Sequence, residues 1–98
     1  MVLTTTNSIE GHKIEDYLGI VTGVAINKER LSASFSMSKY YEKIQDSIDK
    51  VKEEAFQKLQ ENAVLLKANA IVGIKVEIEL TTSNYAMVSV TGTAVKVS

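Results

Sequence analysis

The sequence predicts an α+β fold in which an antiparallel sheet packs on one long helix, in the order β-β-α-β-β. Three observations carry that expectation. Tyr41, Ile44, Ile48, Val51, Ala55, Leu59, Ala63 and Leu66 recur at steps of three and four through a stretch, residues 39–69, free of Gly and Pro. That is the periodicity of one apolar helix face. Ile74, Val76, Ile78 and Leu80 alternate with Lys75, Glu77 and Glu79, as a strand with one wet face does. Tyr17 to Ile26 carries no charge and is apolar almost throughout, the pattern of a strand buried on both faces.

The elements follow in order. Val2 to Thr5 is a short β segment ended by the turn formers Asn7 and Ser8, and Gly11 punctuates the polar stretch after it. Within the apolar run, Gly19 and Gly23 lie four apart and so on one face of a strand, where they permit a bulge or the close approach of another backbone. Asn27 to Ser38 is a serine-rich connector containing Leu31, Phe35 and Met37, read as a loop with one helical turn. Ser38 is placed to cap the helix, and Asp46 with Lys50 and Glu54 with Lys58 give it i,i+4 support. A helix of roughly 28 residues is about 42 Å long. Thr81 to Tyr85 forms a hairpin loop with Asn84 at its tightest position. Met87 to Val97 returns as the last strand, and its apolar phase changes near Gly92: Val88 and Val90 point one way, Val95 and Val97 the other. A bulge or bend at Gly92 accounts for that change.

Composition narrows the function classes. With 98 residues the chain is one domain, and 11 basic against 12 acidic residues give it no field to draw nucleic acid. The helix shares this balance, its charges forming a solvated face rather than a groove for nucleic acid. The chain has no Cys, which excludes disulfides and thiolate metal sites. No apolar run approaches the ~20 residues of a membrane span, and the first residues lack a signal-peptide pattern. A cytoplasmic protein is therefore expected, without nucleic-acid or membrane partners. No general acid, base and nucleophile fall together, so no enzyme is expected.

Self-association is expected. A strand of 8 residues spans about 27 Å, shorter than the helix, so part of the helix stripe overhangs its sheet. One helix also covers only one face of Tyr17–Ile26. A second copy of the chain buries both surplus surfaces at about 25 cal/mol per Å².

Candidate sites are few, and each has a plainer reading beside it. His12 is the one histidine, flanked by Glu10, Glu15 and Asp16. An imidazole with carboxylates holds a divalent ion where three or more donors converge, whereas a solvated turn of mixed charge needs none. Thr4 to Ser8 is dense in hydroxyls that can bind a small polar ligand, but a strand end followed by an Asx-type turn explains the same residues. Tyr17, Tyr40, Tyr41 and Tyr85 can stack on a planar cofactor or pack at interfaces. Asn69, just past the helix, is a ligand candidate or simply its C-cap.

Four segments together resemble a family: residues 4–11 (Thr-Thr-Thr-Asn-Ser-Ile-Glu-Gly), 17–23 (Tyr-Leu-Gly-Ile-Val-Thr-Gly), 68–73 (Ala-Asn-Ala-Ile-Val-Gly) and 88–94 (Val-Ser-Val-Thr-Gly-Thr-Ala). They look like the YbjQ-like family, small proteins labelled as heavy-metal-binding, and the likeness covers nearly the whole chain in order. The resemblance implies a dodecin-like β-α-β-β core and a homo-oligomeric ring, a pentamer, with no settled activity. Two positions depart from the family pattern: the connector over residues 27–41 is short, and Lys67 stands where the family tends to have Gly.

The sequence reading is thus a single YbjQ-like domain over residues 1–98, a homo-oligomeric binding module with a small-molecule or ion site at subunit interfaces. Thr5, Asn7, Ser8, Glu10 and Asn69 are its candidate ligand residues, and no cofactor is identified. The alternatives are metal binding through His12 with Glu10 and Glu15, and a structural ring without ligand.

Overall fold

A computed structural model describes residues 1–27, 37–80 and 85–98, with the side chains of residues 37–40 left aside. The connector after Asn27, the cap at Ser38, the ring of Tyr40 and most of the 81–85 hairpin loop lie outside the described residues. The elements are β1 (Val2–Leu3), β2 (Ile14–Ile26), α1 (Met37–Leu65), β3 (Ala70–Leu80) and β4 (Ala86–Val97). They form one sheet in the order β1-β3-β4-β2 with α1 across one face.

The α+β class and the element order match the sequence reading, but the sheet is mixed rather than antiparallel. β1 pairs in parallel with β3, Val2 opposite Ala70 and Leu3 opposite Ile71. Two bonds hold it there, Val2 N–H donating to Asn69 O and Thr4 N–H to Ile71 O. A two-residue strand carries no pattern from which its partner can be read. The strands are also longer than expected, at 13, 11 and 12 residues for β2, β3 and β4. At about 3.3 Å per residue β2 spans about 43 Å, so the helix does not outrun its sheet lengthwise.

The mismatch is lateral instead. α1 buries Val51, Ala55, Leu59 and Ala63 against Val21 and Ala25 of β2 and Val88, Val90 and Ala94 of β4. It barely reaches β3, whose Val76, Ile78 and Leu80 share the helix face with Val90, Val88 and Ala86 and stay exposed at 40–55%. β2 is not buried on both faces either. Val21 and Ala25 lie under the helix, while Ile20, Val24 and Ile26 look out from the opposite face, Ile20 at 78% exposure.

The two glycines in β2 serve different ends. Gly19 (φ +137°) sits at a register shift between Tyr17 and Gly19. Gly23 lies directly under the helix backbone, so close that a Cβ there would stand 2.1 Å from Ala55 O. The change of apolar phase in β4 has a different cause from the one expected. β4 stays in register with β2 through Gly92, and the extra residue belongs to β3, between Val72 and Lys75, where Gly73 takes φ +62°. Val95 and Val97 lie on the helix-free face by simple alternation with Val88 and Val90, and a second small core forms there with Ala70, Val72, Ile9 and Ile14.

The helix ends at Leu65 in a Schellman arrangement. Ala68 N–H donates to Ala63 O at 3.1 Å and Lys67 N–H to Val64 O at 2.9 Å, with Lys67 left-handed at φ +64°. Lys67 therefore occupies the position that favours Gly. Asn69 is not the cap: its amide donates to Val97 O and its Oδ1 accepts from Val97 N, both at 2.8 Å.

Candidate functional site

The polar segment from Thr4 to Ser8 is laid along the β3 bulge by backbone bonds. Ile74 N–H donates to Thr4 O at 3.1 Å and Gly73 N–H to Thr6 O at 2.8 Å. Gly73 turns the β3 backbone at this point with a left-handed φ of +62°, and Asn7 Oδ1 lies beside it. Hydroxyl bonds then fix the segment internally. Thr4 Oγ1 and Thr6 Oγ1 are 2.7 Å apart, Thr6 N–H donates to Thr4 Oγ1, and the Thr6 hydroxyl donates to Ser8 O at 2.6 Å. Thr4 and Thr6 thus build the loop, while Thr5, Asn7 and Ser8 remain exposed on it.

The next turn is closed by His12 N–H donating to Ile9 O, with Gly11 at φ +81° between them. Glu10 is exposed on this turn, and half-buried Ile9 anchors it to the second core. His12 Nδ1 lies 2.8 Å from the main-chain oxygen of Ser98, which ties the turn to the end of β4. Glu15 and Asp16 follow, exposed at the start of β2. Thr5, Asn7, Ser8 and Glu10 are thus all exposed, the first three on the loop laid along β3 and Glu10 on the turn after it. Asn69 stands apart, both ends of its amide already engaged by Val97.

Among the described residues no three His, Cys, Asp or Glu side chains come together as a metal set. With no Cys and one His in the chain, the donors of a single copy do not fit a soft heavy metal.

Two grooves lie elsewhere. A groove of about 580 Å³ runs between α1 and the outer edge of β2, lined by Val24, Ala25, Ile26, Glu54, Lys58 and Glu61 among others. It continues past Ile26 into a second groove of about 410 Å³ that includes Asp46, Ser47 and Lys50. At the first groove Lys58 Nζ donates to Val24 O at 3.0 Å, and beyond it Asn62 Nδ2 donates to Thr22 O at 2.8 Å. Sequence reasoning passed over these residues because their charges balance along the helix. The one available sign was the apolar run Val24-Ala25-Ile26 on a strand of which one helix covers only one face.

Comparison with known proteins agrees with this architecture. The family model YbjQ_1, described as "Putative heavy-metal-binding", matches residues 1–98. The chain belongs to the YbjQ-like family. A UPF0145 protein of Halalkalibacterium halodurans is 35% identical over 105 residues, covering 98% of this chain and 95% of that protein. A protein of unknown function from Pediococcus pentosaceus, assigned to the DUF74 family and solved as a crystal structure, superposes with a TM-score of 0.72 at 25% identity, covering 100% and 98% of the two chains. None of these descriptions carries an enzymatic activity. No helix among the described residues of this YbjQ-like chain is long and apolar enough to cross a membrane.

Proposed function

We propose that the chain is a non-enzymatic, homo-oligomeric binding module of the cytoplasm, a ring that takes a small polar molecule or an ion at its subunit boundaries. The observation that carries this reading is the amount of apolar surface one copy leaves in water on opposite sides of its sheet. Ile20, Val24 and Ile26 lie on one face, and Val76, Ile78 and Leu80 lie beyond the helix on the other. Scattered exposed apolar residues are ordinary, but rows of three along a strand edge mark contact surfaces. Two different patches on one chain suit a head-to-tail contact, which closes into a ring when the rotation permits. The family resemblance implies five copies. The ligand residues are Thr5, Asn7, Ser8 and Glu10, a polar rim on a loop already held rigid by Thr4 and Thr6 and on the turn after it.

Native mass spectrometry of the untagged protein tests this reading. A multiple of 10.7 kDa carrying extra mass that denaturation releases is the expected result. Replacing Asn7 and Glu10 by Ala should leave the multiple intact and remove the extra mass. Retention of that mass in the double variant would exclude the rim as the site, and a monomer would overturn the oligomer.

The family's description supports a second reading, in which a divalent ion binds His12 with Glu10 and Glu15. Because one copy lacks a full donor set, that reading requires His12 from several subunits to converge. Zinc titration of wild-type and His12→Ala protein separates it from the first.

A further inference from the structure

Among the described residues the sheet ends on two unpaired edges. On one side, the ladder alternation of β2 with β4 decides which backbone groups face outward. Asn27 N–H donates to Ala86 O, so the odd residues Val21, Gly23, Ala25 and Asn27 point toward β4. The even residues Ile20, Thr22, Val24 and Ile26 point away, as the carbonyls taken by Asn62 and Lys58 confirm. On the other side, β1 covers β3 only at its first residues, and among the described residues the strand from Lys75 to Leu80 has no neighbour but β4. Since β4 gives its even residues to β2, its odd residues Met87, Ser89 and Thr91 bond Glu79, Glu77 and Lys75. Val76, Ile78 and Leu80 therefore present the outward N–H and C=O groups.

We propose that β2 of one copy pairs in parallel with β3 of a second copy, so that identical chains join head to tail in one continued sheet. The proposal rests on the oligomeric reading above and names its interface. Hydrogen-bond phase is what selects the arrangement. β2 and β3 both run antiparallel to β4, so they are parallel to each other within one chain. In a parallel ladder a residue bonds the two neighbours of the residue opposite it, whose side chains lie on the other face of the sheet. The outward groups of β2 belong to residues whose side chains leave the helix-free face, and those of β3 to residues on the helix face. That opposition is what parallel pairing with all helices on one side requires. An antiparallel β2–β3 contact would flip alternate copies and put their helices on opposite sides.

Packing favours the same partner. With Val24 opposite Glu77, the side chains of Val76 and Ile78 from the second copy come to lie beside Gly23 and Ala25, under the flank of α1. The 580 Å³ groove opens there, so it receives the row that the second copy's own helix leaves bare. Lys58 and Asn62 need not leave, because a carbonyl oxygen has two lone pairs and accepts an in-plane N–H as well. Pairing β2 with β2 would instead set Glu54 and Glu61 against their own copies and leave Val76, Ile78 and Leu80 in water.

Disulfide trapping tests the interface, since the native chain has no Cys. Val24→Cys protein is refolded with an equal amount of Lys75→Cys, Glu77→Cys or Glu79→Cys protein, and each mixture is oxidised mildly. All four positions are exposed on the helix-free face. The expected result is a linked dimer in one mixture, strongest with Glu77→Cys, and none from Val24→Cys alone. Separately, Ile78→Lys should reduce the native mass to 10.7 kDa with its circular dichroism unchanged. A Val24→Cys homodimer would overturn the proposal, as would an oligomer that links in no mixture; both leave the oligomeric reading standing. A wild-type monomer would end both.

Discussion

Gly23→Ala adds a single methyl group where α1 crosses β2. That Cβ would stand 2.1 Å from Ala55 O, 2.7 Å from Leu59 N and 3.2 Å from Ala55 C. All three are helix backbone atoms, so no side-chain rotation relieves the contact. Restoring even a 3.0 Å separation moves the helix by 3.0 − 2.1 = 0.9 Å. A radial gap of that order forfeits about a quarter to a half of each dispersion well along the seam. The seam includes Val51, Ala55, Leu59 and Ala63, all of which are buried. Lys58 and Asn62 would also be drawn from the β2 carbonyls they bond. Overpacking costs about 1–3 kcal/mol in ordinary cores. A collision with backbone on both sides belongs at the upper end, so we expect about 3 kcal/mol. For a domain of this size that lowers Tm by roughly 12 to 24 °C. Urea unfolding followed by far-UV circular dichroism should show a lower midpoint with an unchanged m value. A loss below about 0.5 kcal/mol would refute the reasoning, because the helix could not then be seated on Gly23.

Lys67→Gly should have the opposite sign. Removing the side chain relieves a left-handed residue and keeps both Schellman bonds, against a larger entropy loss on folding, for a net gain of about 0.5–1 kcal/mol that a thermal melt reads as roughly 2 to 8 °C. For the metal reading, His12→Ala should abolish stoichiometric zinc uptake in a calorimetric titration, and undiminished uptake would remove His12 from consideration.

The helix was readable because its stripe repeats over many turns, and the bonds at its end explain why Lys67 departs from the family's Gly. Gly19 and Gly23 were readable as a pair, one at a bulge and the other under a backbone, since only those circumstances call for glycine inside an apolar strand. The parallel pairing of β1 was not readable, as two residues have no period. Nor was the second core on the far side of Val95 and Val97. It depends on Ile9 and Ile14 folding back from a segment that reads as loop, so the change of apolar face along β4 looked like an irregularity at Gly92. At the candidate site, the exposure of Thr5, Asn7, Ser8 and Glu10 followed from their polarity. The engagement of Asn69 by Val97, 28 positions along the chain, did not. The α1–β2 groove stayed hidden because balanced charges on a helix look the same whether they face bulk water or a cleft.

The small residues along the helix–sheet seam have a bearing on where this chain can change. Gly23 and Ala25 on one layer and Ala55 and Ala63 on the other draw the layers together, and the Cα trace is 17 Å across its thin direction. Two layers so close are full: both grooves described open at the rim, between the helix flank and the outer edge of β2. A lineage built on this scaffold can exchange rim residues, and with them its guests and neighbours, without disturbing the folding core. Enlarging the interior to admit a guest would mean separating the layers themselves.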